Sequence, residues 1–291
     1  MERPRRPRRS LLYVPAANDR ALARARELPV DGLLIDLEDG VAPSAKETAR
    51  EAALAAIAGG FGPREVLLRV NGSGTPWQAA DLAAAARSGA DGVLLPKVEG
   101  AGEIVAAYAA LEAAGAPEGL ALWTMIETPR AVLRVAEIAA AHPRLAGLVA
   151  GTSDLVKDLH ARHTPDRTEV LVSLSLVVLA ARAEGLAALD GVHLELGDDE
   201  GFERACAQGR ALGFDGKTLV HPRQIAGANR AFAPSPEEVD WSRRVIDAHA
   251  RALAMGSGVV VLEGRLIEAL HVENARRIVA LAAAIAARDG A

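Results

Sequence analysis

The chain has 291 residues, half of them hydrophobic but only 3% aromatic, a formal net charge of −5 and a single cysteine. That length accommodates one α/β barrel or two smaller domains, and its alanine-rich apolar half suits a sizeable core of closely packed helices. The acidic balance leaves no electrostatic footprint for nucleic acid. Lone Cys206 excludes an internal disulfide and reads as a buried spectator in a reducing compartment.

The first nine residues hold five arginines and two prolines with no apolar segment behind them, which reads as a disordered basic tail. Leu11 to Pro15 is a short strand, and Asn18 caps the helix after it. The stretch Gly32 to Pro43 opens on a short apolar run that reads as a buried strand, exits through Asp36, Glu38 and Asp39 and turns at Gly40 and Pro43, and an alanine-rich helix runs from Ala45 to Ile57. Glu65 to Val70 exits at Arg69 and Asn71, and Gly92 to Leu95 exits at Pro96-Lys97. Leu120 to Ile126 exits at Glu127, and Pro129 opens a helix that reaches His142. Leu145 to Ala150 exits through Gly151-Thr152-Ser153-Asp154, and a long helix ends near Gly185. Ala187 to Val192 and Phe214 to Val220 complete the strands, the last carrying Asp215 and Lys217 and leading to His221.

Strands and helices thus alternate about eight times at spacings that require parallel pairing, and eight such units close into a (β/α)8 barrel. An open doubly wound sheet is the weaker alternative, because no glycine-rich phosphate fingerprint follows the first strand. The expected organisation is a tail over 1–9, a barrel over 10–225 and a C-terminal helical extension over 226–291. In that extension 229–236 reads as a loop, Pro236 to Met255 as an amphipathic helix, Val259 to Leu262 as extended and Val272 to Ala287 as a final helix. No segment is apolar enough for a membrane span, since Val170 to Ala183 is interrupted by serines. A soluble, cytoplasmic protein is expected.

Parallel barrels carry their chemistry at the carboxyl ends of the strands. Collected there are Asp36, Glu38, Asp39, Arg69, Lys97, Glu127, Asp154, Lys217 and His221. Each has a bland reading: Lys97 as a strand-end salt bridge, His221 as a helix cap, Glu127 as a first-turn carboxylate favoured by the helix dipole. As a group, clustered carboxylates repel one another unless a proton or a metal lies between them. Oxygen-only donors suit Mg²⁺ or Mn²⁺ rather than zinc, and Arg69 offers a planar fork for a carboxylate.

Several stretches together resemble the citrate lyase β-subunit family of HpcH/HpaI-type aldolases, which includes malyl-CoA and citramalyl-CoA lyases. They are Leu12-Tyr13-Val14-Pro15, Ile35 to Pro43 with Lys46 and Arg50, Leu68-Arg69-Val70-Asn71, Leu95-Pro96-Lys97-Val98-Glu99 and Met125-Ile126-Glu127-Thr128. Gly151-Thr152-Ser153-Asp154-Leu155 and Gly213 to Lys217 with His221 to Ile225 continue the match, which spans nearly the whole chain. The resemblance implies a TIM barrel with Mg²⁺ held by Glu127 and Asp154, Arg69 gripping a keto acid, and Glu38 and Asp39 ordering metal-bound waters. Backbone N–H groups of Gly151, Thr152 and Ser153 are expected to assist with the substrate carboxylate. In the coenzyme A lyases a lid aspartate enters a neighbour's site; Glu268 stands at the matching position here, one methylene longer.

The leading expectation from this resemblance is a Mg²⁺-dependent carbon–carbon lyase that cleaves a citryl-, malyl- or citramalyl-type thioester by retro-Claisen chemistry, working as a homotrimer or a multiple of one. The alternatives are a citrate lyase β-subunit acting with partner subunits on an acyl-carrier thioester, a thioesterase, and a non-catalytic keto-acid-binding barrel. Lys46 and Arg50 read either as contacts for coenzyme A phosphates or as a solvated basic face.

Overall fold

The computed structural model describes residues 6–290, so Met1 to Arg5 of the expected tail lie outside the described residues. Eight parallel strands close a barrel in simple sequential order. In chain order the elements are β1 (Ser10–Pro15), α1 (Asp19–Ala25), β2 (Gly32–Asp36), α2 (Lys46–Ala58), β3 (Glu65–Arg69), α3 (Gln78–Ala85), β4 (Gly92–Leu95) and α4 (Ala101–Ala113). Then come β5 (Ala121–Ile126), α5 (Pro129–Leu133), α6 (Val135–Ala139), β6 (Leu145–Ala150), α7 (Thr152–Asp158), α8 (Leu171–Ala183), β7 (Ala187–Asp190), α9 (Asp199–Leu212), β8 (Gly216–Leu219) and α10 (Ile225–Phe232). The helix expected from Pro129 to His142 is broken into α5 and α6 at Arg134, whose backbone is not helical.

Two apolar layers follow from the two-residue period of a strand. Leu11, Leu34, Leu67, Leu94, Trp123, Met125, Val149 and Leu189 fill the barrel. Their neighbours Leu12, Leu33, Ile35, Leu68, Leu122, Leu148 and Ala188 face outward and pack in the shell of helices. Trp123 is fully buried because β6 offers Gly147 opposite it: a Cβ there would lie 2.1 Å from the indole ring.

The amino-terminal rim corrects the expected tail boundary. Arg9 forms a buried pair with Asp31 at 2.9 Å, and Arg8 a partly buried one with Glu65 at 2.6 Å. Their backbone crosses Gly216 so closely that a Cβ there would sit 1.8 Å from the Arg8 carbonyl oxygen. The barrel therefore starts at Arg8, held by acids that the arginine-rich segment gave no hint of. It also extends past 225: α10 occupies the segment expected to become a loop at 229, and the compact unit runs from Arg8 to Phe232. Asn229 ties α10 to this unit through Ser10 Oγ at 2.7 Å.

A second compact unit, built mainly from Ala233 onward, contains α11 (Pro236–Ala254), β9 (Val260–Leu262), β10 (Arg265–Ile267) and α12 (Ala269–Asp289). Its core is Val245, Ile267, Val272 and Ala275. The two strands form an antiparallel hairpin through Glu263-Gly264, both at positive φ (49° and 78°), the backbone of a tight turn. Only its first strand was expected. No helix among the described residues is long and apolar enough to cross a membrane.

Candidate active site

Extending the inward rows of the barrel by two residues takes Leu34 to Asp36, Leu67 to Arg69, Met125 to Glu127 and Val149 to Gly151. These four positions surround the carboxyl-end mouth. Asp36 and Arg69 are direct cross-strand partners. Arg69 Nε and Nη2 donate to the two Asp36 oxygens, each at 2.7 Å. The fork expected to meet a substrate carboxylate is thus already filled along one edge. Nη1 lies 2.9 Å from Glu38 Oε2, and the guanidinium stacks 4.7 Å from the Tyr13 ring centroid. Asp36 also accepts the N–H groups of Glu38 and Gly40, at 2.8 and 2.9 Å, so it shapes the turn that carries the next two acids.

Glu38 is buried between Arg69 and Lys97, whose ammonium contacts Glu38 Oε1. Lys97 Nζ also reaches Asp39 Oδ1 at 3.2 Å. Burial raises Glu38 against the pull of Arg69 and Lys97. At half-exposed Asp39 burial pushes the same way, but Lys97 and Arg69 prevail and hold the carboxyl below its ordinary value. Lys97 has a left-handed backbone, φ 53°, which is costly for a residue with a Cβ. In that conformation its N–H donates to Glu127 Oε1 at 2.6 Å while its side chain serves Glu38 and Asp39.

Glu127 is 1% exposed. Burial, then the charges of Glu38 and Asp154, push its carboxyl up to about 7 despite the Lys97 hydrogen bond. Gly151 makes room for it: a Cβ there would stand 2.6 Å from Glu127 Oε2. Asp154, in the first turn of α7, is paired through Oδ1 with Lys157 at 3.1 Å. Among the described residues no three His, Cys, Asp or Glu side chains converge closely enough to hold a metal alone. Glu127 and Asp154 offer oxygen donors alone, and a buried carboxyl raised by neighbouring acids fits a hard cation that keeps most of its waters, the habit of Mg²⁺.

Other expected members fall elsewhere. Lys217 shares the outward row of β8 with Leu219, and Asp190 that of β7 with Ala188; the two pair at 2.9 Å, fully buried outside the barrel. Arg167 Nη1 completes this cluster, 2.8 Å from both Asp190 oxygens. His221 is exposed and its Nδ1 accepts the Arg223 N–H at 3.2 Å, the capping role that was its bland reading. The Gly151 N–H is spent on Ile126 O at 3.0 Å, continuing the β5–β6 ladder, so it does not serve a substrate as expected. Thr152 and Ser153 remain at the opening of α7, where first-turn N–H groups lack intrahelical acceptors. Glu268 belongs to the second unit, preceding α12, where its N–H donates to His271 Nδ1 at 3.0 Å. Cys206 is buried, which lifts its thiol to about 11 and suits a spectator. Tyr13 under Arg69 was not singled out from sequence, although the alternation that puts Leu11 inside the barrel also points Tyr13 to the mouth.

Residues 9–222 match the model of the HpcH/HpaI aldolase/citrate lyase family. The chain belongs to that family. It is 46% identical over 282 residues to a (3S)-malyl-CoA thioesterase of Cereibacter sphaeroides, covering 97% of this chain and 96% of that one. It is 36% identical over 287 residues to citrate lyase subunit beta of Escherichia coli, covering 97% and 95%. Among solved structures, CitE from Mycobacterium tuberculosis in complex with magnesium, acetoacetate and coenzyme A superposes with a TM-score of 0.75 at 31% identity, covering 94% of this chain and 97% of that one. A citrate lyase beta subunit from the same organism, complexed with oxaloacetate and magnesium, gives 0.65 at 33% identity, covering 77% and 96%. A citrate lyase-type TIM barrel with this acidic mouth agrees with the fold and family expected from the sequence.

Proposed function

We propose that the protein is a Mg²⁺-dependent enzyme of malyl-type 3-hydroxyacyl-CoA thioesters and that its reaction is hydrolysis of the thioester. The observation that carries the site is Glu127, a buried carboxylate held near neutrality beside Glu38 and Asp154. The reaction type is supported by 46% identity to a malyl-CoA thioesterase, against 36% to a citrate lyase subunit.

Glu127 and Asp154 are the residues to hold the cation, which when bound supplies Lewis-acid charge to the substrate's oxygen atoms. Arg69, anchored by Asp36, binds and orients the substrate carboxylate through the N–H groups left beyond that pair. Thr152 and Ser153 add main-chain donors. Glu38 and Asp39, neutralised by Lys97, order water at the mouth. A cleft of about 390 Å³ beside Glu38, bordered by Asn71, Thr75 and Trp77, gives the thioester arm a way out. Glu268 is assigned a proton-carrying role in a homotrimer or a multiple of one.

Carbon–carbon cleavage is the second reading, favoured by the likeness to CitE bound to magnesium, acetoacetate and coenzyme A. In it the hydroxyl of the substrate loses its proton, the adjacent C–C bond breaks, a 2-keto acid leaves and the thioester enolate takes up a proton. Malyl-CoA with Mg²⁺ separates the two. Hydrolysis releases malate and a free coenzyme A thiol, whereas cleavage gives glyoxylate and acetyl-CoA with no thiol freed. Citryl- and citramalyl-CoA are run in parallel, with Glu127→Gln as control. Inertness toward every free thioester, with turnover of an acyl-carrier thioester in the presence of citrate lyase partner subunits, would overturn this reading in favour of a β-subunit.

A further inference from the structure

Lys46 and Arg50 stand one turn apart on α2, and neither is a solvated cation. Lys46 is 6% exposed. Its ammonium donates to the carbonyl oxygens of Leu37 and Glu38, at 2.8 and 2.7 Å, and lies 5.3 Å from the Trp77 ring centroid. These two consecutive carbonyls belong to the turn that presents Glu38 to Arg69 and Lys97. Arg50 Nη1 meets Asp81 Oδ1 at 2.8 Å, and the other Asp81 oxygen accepts both Asn71 N–H (3.0 Å) and Asn71 Nδ2 (2.6 Å). Asp81 is fully buried, and Asn71 is two residues beyond Arg69.

We propose that Lys46 and Arg50 are positioning residues: from one face of α2 they hold the exit loops of β2 and β3, and through them the placement of Glu38 and Arg69, and they do not bind the phosphates of the carrier. The geometry requires both cations where they are. A strand exit that must present Asp36, Glu38 and Asp39 within four residues repels itself, and the Lys46 ammonium answers that charge from behind while it satisfies the Leu37 carbonyl and shares that of Glu38 with the Val41 N–H, 3.0 Å away. Arg50 acts at one remove, because Asp81 ties it to the backbone N–H of Asn71 as well as to the side chain. An i, i+4 pair on a helix spans the gap between neighbouring strand exits, which explains why two basic residues at this spacing serve adjacent loops.

The inference rests on the thioester reading for its kinetic test and has a second test independent of it. Lys46→Met, with Lys46→Arg and Arg50→Met beside it, is assayed on malyl-CoA and on the malyl thioester of pantetheine, which lacks the nucleotide phosphates. Misplacing catalytic groups by about an ångström costs on the order of 10²-fold. The expected result is a loss of kcat of that order for Lys46→Met, equal on both carriers, with KM little changed and partial recovery in Lys46→Arg. A rise in KM confined to the coenzyme A thioester would overturn the proposal and make the pair a phosphate site. If the wild type turns over neither thioester, the functional reading fails and hydrogen exchange still decides the positioning. Lys46→Met is then expected to speed exchange of the Glu38 and Gly40 amides, which donate to Asp36, while the β5–β6 amides stay protected. Unchanged exchange at Glu38 and Gly40 would sink it.

Discussion

Two clusters of buried charge are built from strand-end residues of the same barrel, and they differ in one respect. At Asp190 the carboxylate meets Lys217 and Arg167 and every strong interaction is closed. At the mouth, Asp36, Glu38, Asp39 and Glu127 share Arg69 and Lys97, and Glu127 is left with a main-chain N–H as its partner. Both Asp190 and Glu127 are almost fully buried, yet the flanking cations hold Asp190 low against its burial while burial and nearby acids lift Glu127. A charge cluster complete in itself braces a fold; one that still wants a cation is equipped to take up a ligand.

The sharpest test is Glu127→Gln. It is expected to reduce kcat/KM by about 10²–10³-fold, the scale of losing a preorganised electrostatic group, without lowering the melting temperature. A collapse in stability would place Glu127 with Asp190 among the braces. The converse is Asp190→Ala, which leaves Lys217 and Arg167 buried without their counter-ion. Denaturant unfolding should show a loss of about 3–5 kcal/mol, with activity per folded molecule retained. Should Asp190→Ala instead unfold normally and lose turnover, the division between the clusters would fail.

A paired comparison of glycines is gentler. Gly151 yields space to Glu127, where a Cβ would lie 2.3 Å from the Glu127 Cβ and 2.6 Å from its Oε2, and Gly209 yields to Asp190, where a Cβ would lie 2.7 Å from a carboxylate oxygen. Gly209→Ala is expected to cost about 1–3 kcal/mol, the scale of overpacking, with kinetics unchanged. Gly151→Ala should instead act on Mg²⁺ affinity, read by calorimetric titration, lowering it about 10-fold, the lower end for disturbing a metal site's supports.

The pH dependence has opposite sign in the two regions. Glu127 rises from an ordinary 4.5 to about 7, so its protonated form favours the fold. That contribution is complete below the ordinary value and is lost as pH climbs through about 7. Asp190 is lowered, so its contribution is present above the ordinary aspartate value and is lost as pH falls below it. Melting curves of metal-free protein from pH 5 to 8 should therefore fall toward the alkaline end, and Mg²⁺ should restore the loss there because it competes with the proton. A metal-free curve flat over that range would remove Glu127 from its assigned place.

The barrel was legible because eight apolar runs recur with helical patterns between them, and the mouth because strand exits collect polar residues. What the exits alone do not reveal is the side to which each residue points. Lys217 was grouped with Lys97 by chain position, but the alternation around Leu219 sends it outward to Asp190. His221 lies past the last strand and caps a turn. The partner of Arg69 was hidden for a related reason: register, which pairs it with Asp36, is a property of two strands and of neither sequence by itself. Arg8 and Arg9 looked like tail because their acids, Glu65 and Asp31, are distant in the chain.

The three tryptophans are distributed with one in each region whose behaviour is at issue. Trp77 lies over Lys46 beside the mouth, Trp123 fills the barrel against Gly147, and Trp241 sits between Arg244 and Arg265 in the second unit. Replacing any two by phenylalanine leaves a single emitter whose address is known. Ligand capture, loosening of the barrel and unfolding of the carboxyl-terminal unit thereby become three separate optical signals from one unlabelled chain.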